Sequence, residues 1–110
     1  MDLIQTRAED VLVVRAGGQL NVTNRHELKD LVSVALDAGD RKFVLDFTGT
    51  GYIDSSGLGA LVTLAKKVRE SGGEVQLAGL NADLRHLFAL TKLDTLFRIA
   101  GSSDEALAAF

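Results

Sequence analysis

Short runs of β-branched and aromatic residues alternate along this chain with segments whose apolar residues recur at helical spacing. That alternation restricts the fold to a sheet covered by helices. Val11-Leu12-Val13-Val14, Lys42-Phe43-Val44-Leu45-Asp46-Phe47 and Glu74-Val75-Gln76-Leu77-Ala78-Gly79 are bounded by Gly, Asp and Thr, as strands are. Weaker strands are expected at Leu3 to Thr6 and at Leu96 to Ile99. Between them, Leu28, Leu31, Val32, Ala35 and Leu36 mark a first helix that stops at Gly39, with Asn24 and Glu27 spaced as a capping-box variant at its start. A second helix begins after Asp54, carries Leu58, Leu61, Val62, Leu64, Ala65 and Val68 on one arc, and ends before Gly72-Gly73. Thr63, Lys66, Lys67 and Glu70 fall opposite that arc. A short third helix is expected near Ala82 to Leu90, and Ser102 or Ser103 can cap a terminal one with Glu105 in its first turn.

Strands joined through helices imply parallel pairing, with an antiparallel hairpin at the N-terminus as the exception. The expected architecture is α/β: a mixed, mostly parallel sheet of four to five strands, with about four α-helices packed mainly on one side. The 110 residues form one domain, 1–110, long enough to bury roughly 60 to 70% of the unfolded surface. No repeat, linker or low-complexity segment interrupts it.

Charge and composition remove several functions. Twelve basic against 15 acidic residues give a net charge of −3, which leaves no basic surplus to neutralise a nucleic-acid backbone. With no cysteine and only two histidines, thiolate zinc sites, disulfides, cysteine nucleophiles and three-histidine metal sites are absent. Neither a signal peptide nor a run of about 18 apolar residues is present, so the chain is read as cytoplasmic and without a membrane partner.

The informative stretch is Gly49-Thr50-Gly51-Tyr52-Ile53-Asp54-Ser55-Ser56-Gly57-Leu58-Gly59, where the strand ending near Phe47 turns into the second helix. A helix beginning there aims free N–H groups and the positive end of its dipole outward, which suits an anion. Two hydroxyls, Ser55 and Ser56, stand at that spot, and the small Gly57 and Gly59 are expected to keep the surrounding surface low enough for another protein's active site to approach. On the local triplet alone, Asp54-Ser55-Ser56 reads first as a plain helix cap worth about 1 kcal/mol.

Enzymatic spellings fail. Leu58 follows Gly57 where a P-loop needs Lys, Val62 stands where dinucleotide binding needs a third Gly, and Ile53 and Asp54 occupy the Gly position of a nucleophile elbow for Ser55 and Ser56 respectively. His26 and His86 lie in other helices, so spacing names no base for a serine nucleophile. The reading is a substrate for modification and not an enzyme, with no cofactor required.

The run Ile53-Asp54-Ser55-Ser56-Gly57-Leu58-Gly59, after a strand ending Leu45-Asp46-Phe47, resembles the phosphorylation motif of anti-sigma factor antagonists, which are STAS domains. Gly18-Gln19-Leu20-Asn21 is similar to the family's Gly-x-Leu-Asp turn, with Asn21 in place of Asp. Gly72-Gly73-Glu74 precedes a strand as in relatives, and Leu84-Arg85-His86-Leu87-Phe88 with Thr91-Lys92-Leu93 resembles the third helix and its following loop. The resemblance implies that Ser55 is phosphorylated by an anti-sigma factor that is itself an ATP-dependent serine kinase. The unphosphorylated chain would capture that kinase and free a sigma factor, and a metal-dependent serine phosphatase would reset the switch. Asn21, Asp54, Ser55, Ser56, Gly57, Leu58 and Val62 are the expected partner contacts, on a chain that is a monomer or weak dimer. An alternative places the same domain in a multiprotein sensing scaffold that never frees a sigma factor directly. A small-molecule binder or nucleoside-phosphate enzyme is a third class, which the missing phosphate-binding signatures oppose.

Other residues carry plainer alternatives. Leu58 and Val62 sit at one margin of the second helix's apolar arc, where core packing competes with partner contact. Lys66, Lys67 and Lys92 read as a solvated face or as steering charges. Tyr52 either supports the serine turn or is an ordinary half-buried aromatic. Asp46, at a strand end, is expected to orient the loop near Ser55, and His86 is a packed or surface helix residue.

Overall fold

The computed structural model describes all residues, Met1–Phe110. The chain runs β1 (Asp2–Ala8), β2 (Val11–Leu20), α1 (Arg25–Asp37), β3 (Lys42–Asp46), β4 (Thr50–Ile53), α2 (Ser55–Glu70), β5 (Glu74–Ala78), α3 (Ala82–Leu90), β6 (Arg98–Ala100) and α4 (Ser103–Ala108). A 3₁₀ turn, Leu93–Thr95, precedes β6. The sheet order is β1-β2-β3-β5-β6, with β1 antiparallel to β2 and the remaining pairs parallel. The α/β reading and the mostly parallel sheet are as expected.

The sixth strand is the difference. Instead of ending at Val14, β2 continues through Gly17 and Gly18 to Leu20. Its first half pairs with β3 and its far end pairs with β4, with a bulge between Gly18 and Gln19. β4 lies inside the stretch expected to be a plain turn: Gly49 and Gly51 punctuate it, but Thr50, Tyr52 and Ile53 suit a strand once the β2 edge offers a partner. Thr50 fixes the junction: its side chain is buried and its hydroxyl donates to the Ala16 carbonyl at 2.7 Å.

Alternation along the strands sorts the core. Leu12, Val14, Phe43, Leu45, Val75 and Leu77 face α1, α2 and α3 in one large cluster, with Phe88 and Phe97 closing its far end, their rings 6.3 Å apart. Val11, Val44 and Ala78 face the other way and receive Ala106 of α4. Helices therefore pack mainly on one side, with a single short one opposite. The strand expected at Leu96 to Ile99 sits slightly later, because Lys92 takes a left-handed conformation (φ 64°) and the chain coils through the 3₁₀ turn first.

Parallel connection sends α1, α2, α3 and α4 off the carboxyl ends of their preceding strands, so all four helix N-termini gather at one pole. The expected capping box of α1 is not formed. Asn24 occupies the cap position without capping; its side-chain oxygen accepts from the Asn21 N–H at 2.9 Å and its amide donates to the Gln19 carbonyl at 2.7 Å. The loop before α1 claims that side chain more strongly than the helix does. At α4 the cap is Ser102, whose hydroxyl accepts from the Glu105 N–H.

Candidate functional site at the start of the second helix

The site is built where β2 and β4 end side by side. Leu20 and Ile53 are register partners, and the Asp54 N–H donates to the Leu20 carbonyl at 3.1 Å, so the loop after β2 and the start of α2 leave the sheet together. Asp54 is the N-cap of α2 in extended conformation (φ −84°, ψ 178°), and its Oδ1 accepts from the Gly57 N–H at 2.8 Å. Its Oδ2 accepts from the Val22 N–H at 3.2 Å. One carboxylate thus caps the helix and ties the 21–24 loop to it.

Asn21 organises the other half. Its Oδ1 accepts from the Thr23 N–H at 3.0 Å and from the Thr23 hydroxyl at 2.5 Å, a local turn that uses the side-chain oxygen and needs no charge. Ser55 and Ser56 follow the cap as the first two residues of α2, Ser55 exposed and Ser56 half-buried. Their N–H groups have no acceptor within the protein, so the hydroxyl of Ser55 sits at the positive end of a four-turn helix with unspent donors beside it.

The glycines of this segment do different work from that expected. Gly57 is buried, and a Cβ there would meet the Leu20 carbonyl at 2.8 Å and the Ile53 Cγ2 at 2.9 Å, so its missing side chain lets α2 close onto the ends of β2 and β4. It contributes no outer surface. Gly59 is exposed with nothing within 4 Å, and it alone keeps the outside low. Leu58 is half-buried and packs against the main core, whereas Val62 is half-buried on the same margin outside that cluster. Tyr52 on β4 is 54% exposed, not half-buried, and reaches no partner.

Sequence reasoning missed Val22, which is 60% exposed between Asn21 and Thr23. An apolar side chain inside a polar loop was the available signal. Asp46 does not orient the Ser55 loop directly. Its Oδ1 accepts from the Thr48 N–H at 2.9 Å and the Thr48 hydroxyl at 2.6 Å, and its Oδ2 from the Ser103 hydroxyl at 2.5 Å, which fastens the β3–β4 turn to α4. Burial pushes its carboxyl up, but the hydrogen bonds from Ser103 and Thr48, with the Arg15 charge, outweigh that and hold it below the ordinary carboxylate range. Lys67 donates to the Ser33 hydroxyl at 2.9 Å and pins α2 to α1, whereas Lys66, Lys92, His26 and His86 are exposed. No three His, Asp or Glu side chains converge in the way a metal ion requires, and no helix is long and apolar enough to cross a membrane.

A family model described as STAS domain matches residues 3–106 of this chain. This chain belongs to the STAS domain family. The STAS domain is 31% identical over 110 residues to BtrV of Bordetella bronchiseptica, a candidate anti-sigma factor antagonist, with 100% of this chain and 95% of that one covered. It is similar to the crystal structure of a candidate anti-sigma factor antagonist from Thermotoga maritima, with a TM-score of 0.91 and 29% identity over 97% of this chain and 92% of the other. The STAS fold is shared with SpoIIAA of Bacillus in its phosphorylated form, with a TM-score of 0.77 and 18% identity over 98% of both chains.

Proposed function

We propose that this STAS domain is an anti-sigma factor antagonist switched at Ser55. The unphosphorylated chain binds an anti-sigma factor that is a serine kinase and so releases the sigma factor that the kinase had held. The kinase transfers the γ-phosphoryl group of ATP to the Ser55 hydroxyl, and a metal-dependent serine phosphatase hydrolyses the phosphoserine to restore binding. The chain acts as the substrate of both enzymes, in the cytoplasm, without a cofactor of its own. The carrying observation is the exposed Ser55 hydroxyl at the start of α2, beside a loop that Asp54 holds in place. The identity to BtrV and the existence of SpoIIAA in a phosphorylated form support the same reading.

The physical chemistry suits a docking switch. Phosphate adds about −1.5 to −2 charge and three acceptor oxygens. Within the monomer the free N–H groups of Ser55 and Ser56 and the helix dipole offset that charge. At an interface the same phosphate meets the Asp54 carboxylate and a partner surface shaped for a hydroxyl, and each 1.4 kcal/mol of mismatch is tenfold in affinity. About 4 kcal/mol gives a thousandfold switch. The partner contacts centre on Ser55, with Asn21, Val22, Asp54, Ser56, Leu58 and Val62 around it; Gly57 takes part through the backbone it allows.

The test is incubation with the cognate kinase and ATP, mass spectrometry of the product, and binding measured before and after. Label at one site, absent in Ser55→Ala and retained in Ser56→Ala, together with a large loss of kinase affinity, is the expected result. Label that survives Ser55→Ala, or kinase affinity indifferent to phosphate, contradicts the proposal. Kinase binding without displacement of any sigma factor favours the scaffold role.

A further inference from the structure

Gln76, in the middle of β5, is fully buried, and neither the nitrogen nor the oxygen of its amide has a hydrogen-bond partner in the protein. Strand alternation sets it on the face opposite the main core. Val75 and Leu77 belong to the large cluster, whereas Gln76 shares the face of Ala78 and lies between its register partners, Val44 of β3 and Arg98 of β6. The helix on that face is α4. Burying an amide without a partner is costly, and the cost disappears when water reaches it. The docking of α4 is therefore opposed by the residue beneath it. Its attachments are also few. Ala106 is its one fully buried side chain, seated on Val11, Val44 and Ala78, with Leu107 and Phe110 half-buried at the edge. A groove of about 460 Å³ opens between those two residues and the turn from Ala8 to Val11. No backbone hydrogen bond joins residues 102–110 to the rest of the chain. Two polar ties reach the sheet: the Ser103 hydroxyl donates to Asp46 Oδ2 at 2.5 Å, and the Arg98 guanidinium donates to the Ala109 carbonyl at 3.3 Å.

We propose that α4 is a detachable cover: it leaves the sheet as a unit while the six strands and α1 to α3 stay folded, and Gln76 is the group that keeps it loose. Local opening of this kind falls to segments with little buried apolar surface and few ties, and α4 has both traits, whereas α2 buries Leu61, Leu64, Ala65 and Val68 in the main core. A six-residue helix is too short to persist alone in water, so the detached segment uncoils and opens the face formed by Val11, Val44, Gln76 and Ala78. Two buried polar residues of that face act in opposite senses. Asp46 retains α4 through Ser103, and Gln76 favours release because its amide is hydrated only when the cover is off.

The absence of cysteine in the chain makes the test direct. Gln76 and Leu77 are adjacent, equally buried and on opposite faces, so a thiol reagent applied in native buffer is expected to label Gln76→Cys at least a hundredfold faster than Leu77→Cys. In the unaltered chain, the Ala106 amide, bonded to the Ser102 carbonyl, is expected to exchange with deuterium at least a hundredfold faster than the Leu61 amide after correction for intrinsic rates. Gln76→Met keeps the volume and removes the polar atoms; it is expected to slow Ala106 exchange at least tenfold. Gln76→Leu is read in the same way, which keeps the result independent of one substitution, and circular dichroism verifies that each variant is folded. Equal labelling at positions 76 and 77, Ala106 exchange no faster than that of Leu61, or apolar variants that leave Ala106 exchange unchanged, whether or not Leu61 slows, each overturn the proposal.

Discussion

The carboxylate of Asp54 accepts from the Val22 N–H at 3.2 Å across 32 residues of sequence while its other oxygen caps α2 through Gly57 at 2.8 Å. The two loops flanking Ser55 are therefore one mechanical unit. Removing the side chain in Asp54→Ala is expected to cost about 1 to 2 kcal/mol, the usual worth of a cap, and to free the 21–24 loop as well. Urea unfolding gives the first number, and faster amide exchange at Val22 and Gly57, with Leu61 unchanged, shows the second.

Gly57 and Gly59 are two residues apart on one helix and should respond to alanine in opposite directions. Gly57→Ala forces a Cβ against the Leu20 carbonyl and Ile53, so it is expected to destabilise by about 1 to 3 kcal/mol as overpacking does. Gly59→Ala meets open space and should stabilise by up to about 1 kcal/mol through helix propensity. Thermal unfolding of the pair checks both signs.

Asp46 gives the fold an acid-sensitive joint. Its carboxyl titrates below the ordinary range in the folded protein, so the stability it supplies is complete above the unfolded value of about 3.9 and is lost as pH falls through the lower folded value. Asp46→Asn leaves part of a buried network unsatisfied and is expected to cost about 1 to 3 kcal/mol at pH 7, a deficit that shrinks toward pH 2. Ser103→Ala removes one of the hydrogen bonds that lower the carboxyl and should move the acid loss to higher pH. Urea titrations at stepped pH measure both.

Phosphorylated Ser55 is expected to leave the fold unchanged. Amide shift changes confined to 20–24 and 52–60, with an unchanged far-ultraviolet spectrum, are the expected NMR and dichroism results; refolding across β5 or α3 would contradict a switch that acts on docking.

Local chemistry in the sequence set the strands at Val11, Lys42 and Glu74, helix α3 at its observed bounds, the start of α2 after Asp54, and the hydroxyl pair at its tip. These follow from periodicities of two and 3.6 and from cap residues, which act over a few positions. Tertiary structure alone decided the rest. Thr50–Ile53 becomes a strand because β2 runs on past two glycines to offer it a partner; Asn24 abandons α1 for its loop; Gly57 turns inward because Leu20 lies against it. The pairing of Asp54 with Val22 belongs to the same class, since a hydrogen bond spanning 32 residues exists only once parallel pairing has set the ends of β2 and β4 side by side.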